Sequence, residues 1–573
     1  MKNVRSLVSC FIILLALLQY RYYYSDAGHV KQPLKVTVWD AFGYYAYLPA
    51  ICIYHDYKDL KWLTAIDEKY SVTGGNGWQA EKLPDGHYTF KYLGGVALMQ
   101  LPFFYIGHII ATHSHYPPDG FSPPYQYALG FGIVFYCFFA LLLLRRLLLR
   151  YFSDTAVAIS LILLCLASNF IQYAAIDNGQ SHAYLFCVYV LVLCATRRWH
   201  EWPTAAWALA IGYLIGLGTM TRPTEAIMLF IPVMWGTQNK EAAKAKWQMV
   251  KAHKPHIAFA ALGGLLGILP QLVYWKQSTG GWVYDVGSKW DFLNPHFRVL
   301  FGWEKGWFVY TPVTVLFIAG MWYIRRFPFR KSVLWFCLLN IYVIIGWHEW
   351  RYGGSYSTRA LVQSYAVFAL PLTAVTDRVL AMRWRIPFLL VCIYLLGVNF
   401  FQIYQYNLTI LHFDDMNRRY YGAIYLNPHP SPVDMSLLDN DASLPNERHL
   451  QKKILLNNTQ QQSISFAANE QKILATIPIS ATTKEHWLKV ESDIRAPRCL
   501  WQTFLQARMV YGKDTAQAKA RLYSPIAEDS TVNGYAFFVR VPGQATGNME
   551  IFLGSPFAFY GQVHTLRITE EYK

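Results

Sequence analysis

The sequence predicts a polytopic α-helical membrane protein of about 11 transmembrane helices, with interfacial juxtamembrane helices and a C-terminal β-sandwich. Three observations carry this expectation. Apolar runs of about 15–20 residues recur through the first 420 positions, the length a bilayer crossing requires. Charged residues make up only 15% of the 573 positions, against 54% hydrophobic and 17% aromatic, where ordinary soluble domains carry roughly 25% charge. The net charge of +16 gathers in short loops between apolar runs, so it reads as membrane orientation and not as a nucleic-acid surface.

The opening M-K-N-V-R-S-L-V-S-C-F-I-I-L-L-A-L-L-Q-Y has a basic start and an apolar middle, lacks a small-x-small cleavage site and runs into R-Y-Y-Y. It reads as a retained anchor. Spans follow at 6–21, 127–145, 155–173, 182–196, 204–221, 224–237, 256–275, 307–323, 332–347, 360–376 and 386–405. A further run at 92–111 contains Gly94, Gly95, Pro102 and His108, all poor in a spanning helix.

Lysine and arginine decide that run. Left uncrossed, it puts Lys2, Arg5, R-R-L-L-L-R at 145–150, Arg197-Arg198, the lysine-rich 240–254 stretch, R-R-F-P-F-R-K at 325–331, Arg378, Arg383 and Arg385 on one side. If it crosses, the later basic loops face away from the basic amino terminus. The positive-inside rule favours the first arrangement: eleven spans plus one embedded helix, in the cytoplasmic membrane. Segments 22–126, 174–181, 222–223, 276–306, 348–359 and 406–573 then face outward.

Residues from 430 to 573 differ in kind. Short alternating runs, S-I-S-F at 463–466, H-W-L-K-V-E at 486–491, Y-A-F-F-V-R-V at 535–541 and H-T-L-R-I at 564–568, lie between Gly, Pro, Asn and Asp. That pattern is of strands in an extracytoplasmic β-sandwich. Residues 1–420 form the transmembrane domain, with 22–126 its first outer loop. The nine cysteines lie mostly within apolar runs, Cys52 and Cys499 excepted, and no spacing indicates a disulfide framework or a zinc site.

Ionisable residues at an apolar boundary require a partner or a task. In V-W-D-A-F-G-Y-Y-A-Y-L-P-A at 38–50, Asp40 opens a short aromatic helix. One reading makes it an N-cap; the other makes it a fixed, ionised carboxylate facing a cleft, as a general base requires. Lys91 in F-K-Y-L-G-G-V reads as a snorkelling lysine or a phosphate contact. Arg222 and Glu225 in T-M-T-R-P-T-E either neutralise one another or serve a ligand. Lys305 in F-G-W-E-K-G-W, with Arg351 and Arg359 in H-E-W-R-Y-G-G-S-Y-S-T-R, adds cations beside a Gly-Gly-Ser turn suited to an anion. One carboxylate and several cations on one membrane face suit a lipid-linked phosphate donor.

These segments, in this order, resemble the GT-C superfamily of polyprenyl-phosphate-dependent glycosyltransferases, including protein O-mannosyltransferases and aminoarabinose transferases of lipid A. W-D-A-F-G-Y-Y-A-Y matches the acidic motif after the first helix of that family, and F-K-Y-L-G-G-V-A-L-M-Q-L-P-F-F its juxtamembrane motif. K-G-W-F-V-Y-T-P and W-R-Y-G-G-S-Y-S-T-R are similar to later-loop motifs. The chain departs from it where the family's Asp-Glu pair is Asp40-Ala41, and no W-W-D-x-G motif of oligosaccharyltransferases is found.

The resemblance implies an inverting glycosyltransferase that moves a hexose or pentose from a polyprenyl-phosphate donor to an acceptor hydroxyl of a glycan, lipid or protein. Asp40 would be catalytic; Lys91, Arg222, Lys305, Arg351 and Arg359 would bind the donor phosphate; Tyr44, Tyr45, Tyr92, His182 and Trp350 would line the substrate pocket. No cofactor or metal is required by any residue pattern, Asp56 being the only nearby second carboxylate. The alternative is a transporter or flippase for a lipid-linked or anionic glycan, which would bury charge at mid-bilayer and carry an internal repeat; no such symmetry is visible.

Overall fold

The computed structural model describes residues 3–24, 36–75, 77–440, 445, 450–496, 500–522 and 532–572. The chain divides into two compact units, Met1–Ile403 and Tyr404–Lys573, the division falling inside the last long helix. Every described cysteine is free, and Cys499 lies outside the described residues.

Unit one opens with α1 (Val4–Tyr23), then α2 (Asp40–Tyr45), α3 (Tyr47–Cys52), α4 (Leu63–Tyr70), a hairpin of β1 (Ala80–Lys82) and β2 (Tyr88–Phe90), and α5 (Gly95–Thr112). The helices α6 (Pro123–Leu148), α7 (Asp154–Leu166), α8 (Ser181–Glu201) and α9 (Ala205–Thr221) follow. After a 3-10 segment at Pro223–Leu229 come α10 (Phe230–Met234), α11 (Lys240–Ala252) and α12 (Pro255–Thr279). Next are α13 (Arg298–Phe301), α14 (Trp307–Tyr310), α15 (Thr314–Gly320) and α16 (Arg330–Ile345); a 3-10 turn at Arg359–Ser364 then leads into α17 (Tyr365–Leu380), followed by α18 (Arg385–Asn407).

The apolar runs expected to span all contain helix, but 307–323 breaks into two short helices, Trp307–Tyr310 and Thr314–Gly320, and the α-helix of 155–173 stops at Leu166. Six helical segments are long and apolar enough to cross a membrane: α1, α5, α6, α12, Arg359–Leu380 and α18; α7, α9 and Pro223–Met234 are shorter and apolar. Large apolar side chains stay exposed along them, such as Leu15, Phe135, Leu265 and Leu390, as lipid-facing surfaces require. The chain is a multi-pass membrane protein.

Polar contacts sort the helix ends into two groups. At one end Asp154 accepts the backbone N–H of Arg5 (2.9 Å), Arg145 donates to Ser6 Oγ (2.8 Å), Asp377 accepts from the N–H of Ser153 (3.2 Å), and the Gly236 N–H meets the Pro328 carbonyl (2.8 Å). This end holds the basic loops. At the other end Arg21 reaches the 176–178 loop, and α2, α13 and the 351–359 loop gather there.

Helix α5 is placed by both of its ends. Tyr47 donates to the carbonyl of Tyr92, just before α5 (2.7 Å), and Tyr45 donates to that of Gly120, after it. Asp119 also accepts from Tyr70 (2.6 Å), with Lys69 beside it (3.2 Å). The chain thus enters and leaves α5 at one module, residues 36–70, although its 18 residues could reach roughly 27 Å.

In unit two, α19 (Arg418–Ile424) and α20 (Pro432–Ser436) precede nine strands: β3 (Gln451–Asn458), β4 (Gln462–Phe466), β5 (Gln471–Ile479), β6 (His486–Arg495), β7 (Leu500–Tyr511), β8 (Asp514–Leu522), β9 (Val532–Val541), β10 (Gly547–Gly554) and β11 (Phe559–Tyr572). They form antiparallel sheets in the orders β5-β10-β7-β8 and β3-β11-β6-β9, with β4 paired to β11. The alternation in β6, inward Leu488, Val490 and Ile494, and the matching Leu505, Ile551 and Phe537 build one core from both sheets. All four strand runs read from the sequence fall in strands.

Candidate active site

Asp40 owes its position to a strained residue. Trp39 sits at φ 55°, ψ −128°, a conformation costly for a bulky side chain. Its N–H donates to the Val72 carbonyl (2.9 Å), and Gln79 Nε2 donates to its carbonyl (3.3 Å). The turn ends in α2, whose first residue is Asp40. The N-cap reading is therefore corrected: Trp39 occupies the cap position, and no side chain caps this helix.

The Asp40 carboxylate reaches across the chain instead. Oδ2 accepts from Arg359 Nη2 at 2.5 Å, and Oδ1 accepts from the Tyr92 hydroxyl at 2.7 Å. Arg359 extends its other arm, Nη1, to Gln180 Oε1 at 2.7 Å. The Asp40 side chain keeps 20% of its exposure and Arg359 11%, so the pair is only partly buried. Burial pushes the Asp40 carboxyl up, but Arg359, the Tyr92 hydroxyl and the charge of Arg222 outweigh burial and hold it below the ordinary carboxylate value. Burial and the Asp40 charge drive the Tyr92 phenol far up, so it stays a donor.

Two glycines permit this approach. A Cβ on Gly43 would lie 2.2 Å from Tyr92 Cδ2, and one on Gly179 would lie 1.9 Å from the Val36 carbonyl oxygen and 2.8 Å from Ala41 Cβ. Any side chain at either position would push Tyr92 or the 177–181 loop away from α2. The Tyr44 ring meets Tyr92 edge-on at 4.7 Å, and Trp78 lies 5.9 Å beyond it.

Arg359 is held by a pinned loop. Thr358 donates to the Val299 carbonyl (2.7 Å), the Tyr356 N–H donates to the Tyr173 hydroxyl (3.0 Å), and Thr311 donates to Ser357 Oγ (2.9 Å). Tyr352 and Ser357 both have positive φ, 57° and 55°.

The expected residues divide into those gathered at the carboxylate and those placed elsewhere. Asp40, Tyr92, Tyr44 and Arg359 are in mutual contact. Arg222, at the C-terminus of α9, acts on Asp40 through its charge, and its guanidinium makes no hydrogen bond or ion pair among the described residues. Lys91 adjoins Tyr92, is anchored by its N–H to the Gln79 carbonyl (2.9 Å), and its ammonium likewise has no partner among the described residues. His182 is buried behind them, Nδ1 at 3.0 Å from Gln363 Oε1. Glu225 feels the charge of Arg222 without a direct ion pair to it, and accepts from Gln363 Nε2 (3.0 Å) and Tyr189.

The remaining expected residues lie elsewhere. Lys305 is buried and donates to the carbonyls of Arg351 (2.8 Å) and Gly353, so it braces the loop instead of facing a phosphate. Arg351 lies exposed with its guanidinium 5.4 Å from the Trp350 ring. Trp350 packs 6.1 Å from His296, with the 289–298 segment. Tyr45 is fully buried among Phe104 and Phe121, a core residue and not a pocket wall. Asp56, too, is occupied, accepting the N–H groups of Asp59 and Lys61 at 2.8 Å each. Sequence reasoning missed Gln180, Gln79 and Trp39; neutral amides carry no local signal, and a positive φ at tryptophan has none.

No protein-family model matches the chain, and no curated protein does. Among solved structures it is similar to ArnT from Cupriavidus metallidurans in the apo state, at 12% identity and TM-score 0.42, over 73% of this chain and 65% of that one. It is also similar to the archaeal oligosaccharyltransferase AglB from Archaeoglobus fulgidus in complex with an inhibitory peptide and a dolichol-phosphate, at 14% identity and TM-score 0.41, over 73% of this chain and 57% of that one. The chain thus spans less than two thirds of either length, and the functional reading rests on the residues of the site.

Proposed function

We propose that this chain is an inverting glycosyltransferase that moves a sugar from a polyprenyl-phosphate donor to an acceptor hydroxyl at the outer face of the cytoplasmic membrane. The observation that carries the reading is Asp40, held ionised by Arg359 and Tyr92 and within reach of the charge of Arg222, with Lys91 one residue before Tyr92; the side chains of Arg222 and Lys91 have no partner among the described residues. In the reaction the acceptor oxygen attacks the sugar's anomeric carbon from the side opposite the phosphate. Asp40 accepts the hydroxyl proton, and the carbon–oxygen bond to phosphate breaks with its electrons going to the phosphate. A carboxylate this acidic takes the proton late, so its chief task is to orient the acceptor. Arg222 and Lys91 offset the charge that grows on the leaving phosphate. Arg359 keeps Asp40 ionised and aimed; Tyr44 and Tyr92 offer ring faces to the sugar. No step calls on a metal.

Topology supports this polarity. The eleven-span reading puts the basic ends of the helices in the cytosol and the Asp40 site and unit two outside, and the return of both ends of α5 to residues 36–70 favours an embedded helix over a twelfth crossing. The test is to incubate purified full-length protein with a panel of polyprenyl-phosphate pentoses and hexoses and to measure sugar release or transfer. Turnover of at least one donor that is lost in Asp40→Asn is expected; turnover unchanged in that variant ends the assignment.

A further inference from the structure

The end of the bundle remote from Asp40 contains a second cavity, of about 430 Å³. Three helices line it, each with one stripe. On α6 Leu143, Arg146 and Leu147 share a face; on α8 Leu191, Cys194, Ala195 and Arg198 recur at helical spacing; on α9 Trp207, Ala210 and Leu214 do the same. Arginines occupy the rim at the basic end, and leucines run from them into the apolar depth of the helices.

The charge on the rim is not balanced. Arg197 is held by Glu201, with both carboxylate oxygens at 2.7 Å from Nη1, while its buried Nε finds no acceptor. Arg146 and Arg198 are exposed, and their guanidinium groups hold no counter-ion or hydrogen-bond partner among the described residues. Trp207 and Tyr213, each more than a third exposed, flank the opening, the position at which amphipathic rings meet a headgroup layer. A free phosphate would satisfy the arginines and leave the leucines wet; a neutral lipid would cover the leucines and leave two cations unpaired.

We propose that this cleft is a binding site for one anionic phospholipid of the inner leaflet, its phosphate between Arg146 and Arg198 and one acyl chain along Leu143, Leu191 and Leu214. Charge complementarity at the rim and the apolar cleft below it select that occupant over either half alone. The site is independent of the glycosyl-transfer reading.

The experiment uses full-length, delipidated protein in detergent, titrated with phosphatidylglycerol, phosphatidylcholine or inorganic phosphate, and read by native mass spectrometry and thermal melting. Phosphatidylglycerol is expected to stay bound and to raise Tm, with phosphatidylcholine and phosphate doing neither. Each arginine removed should weaken phosphatidylglycerol about fivefold, and Arg146→Ala with Arg198→Ala together roughly 25-fold, while the double lysine variant keeps most of the affinity. Ala210→Phe, which fills the cleft and leaves the charges, should lose the lipid as well, and this variant decides the matter should the alanine pair not fold. Equal retention of phosphatidylcholine, equal protection by phosphate, or undiminished phosphatidylglycerol binding in either variant overturns the proposal.

Discussion

In the C-terminal unit Arg521 grips Asp439 through three hydrogen bonds, Nε to Oδ1 and Oδ2 at 3.1 and 2.9 Å and Nη2 to Oδ1 at 2.5 Å, and adds Asp415 at 3.2 Å. In the N-terminal unit Arg359 meets Asp40 through a single nitrogen and gives its other arm to an amide. Asp439 is 3% exposed and Asp40 20%. The first pair ties residues 412–440 to strand β8, with the Arg521 guanidinium spent on Asp439, Asp415 and His412. The second is more open: its carboxylate keeps more exposure, and the side chains of Arg222 and Lys91 have no partner among the described residues. A buried ion pair is by itself weak evidence of function; what separates the two is the exposure left to the acid and the cations left unmatched.

That contrast can be broken by substitution. Asp40→Asn keeps the shape of the side chain and one acceptor oxygen for Arg359, with its NH2 able to donate to the Tyr92 oxygen instead of accepting from it, so folding should hold while transfer falls by about 10²–10⁴-fold; a thermal melt beside a transfer assay reads both. Arg521→Ala should do the opposite. It strands a buried carboxylate and should destabilise unit two by about 3–5 kcal/mol, visible as an earlier unfolding transition, with turnover per folded molecule unchanged. If Arg521→Ala loses turnover at full stability, the two pairs are not different in kind.

Smaller effects sharpen the open pair. Lys91→Ala and Arg222→Ala each remove a charge proposed to meet the donor phosphate, and on that proposal each should raise KM for the donor about tenfold. Arg359→Gln tests why the acid stays ionised. Asp40 lies below the ordinary carboxylate value, so its charged form and the stability of the pair are complete above the unfolded value near 4 and disappear only as pH falls through the lower folded one. The wild type should therefore show no acid limb from Asp40 between pH 5 and 8. Without Arg359, burial is opposed only by Tyr92 and Arg222, the carboxyl rises, and the limb should move upward in pH–rate profiles. Tyr92→Phe, which removes one of two donors to Asp40, should reduce kcat only a few-fold.

Much of this architecture was legible in the chain itself. Spans announce themselves because lipid requires an uninterrupted apolar run, and the strands of unit two because one face of each is buried at every second residue. Asp40 stood out because a carboxylate among aromatics at a membrane boundary demands a reason. Its partner did not. Arg359 lies 319 positions away, and Arg222, Lys305 and Arg351 carried the same local signal. Lys305 proved to be a brace because its ammonium falls under two carbonyls, and Tyr45 a core residue because α2 turns it toward Phe104; neither fact is written in neighbouring residues.

The sequence alone determined which segments are apolar and which loops are basic, and from these the expected polarity of the helices, since hydropathy and charge are properties of local composition. Only the tertiary structure decided which cation meets Asp40, which two stay unmatched, and that both ends of α5 return to one module. Those outcomes depend on how helices far apart in the chain pack, and a side chain's hydrogen bonds are set by the atoms that packing brings within about 3 Å of it.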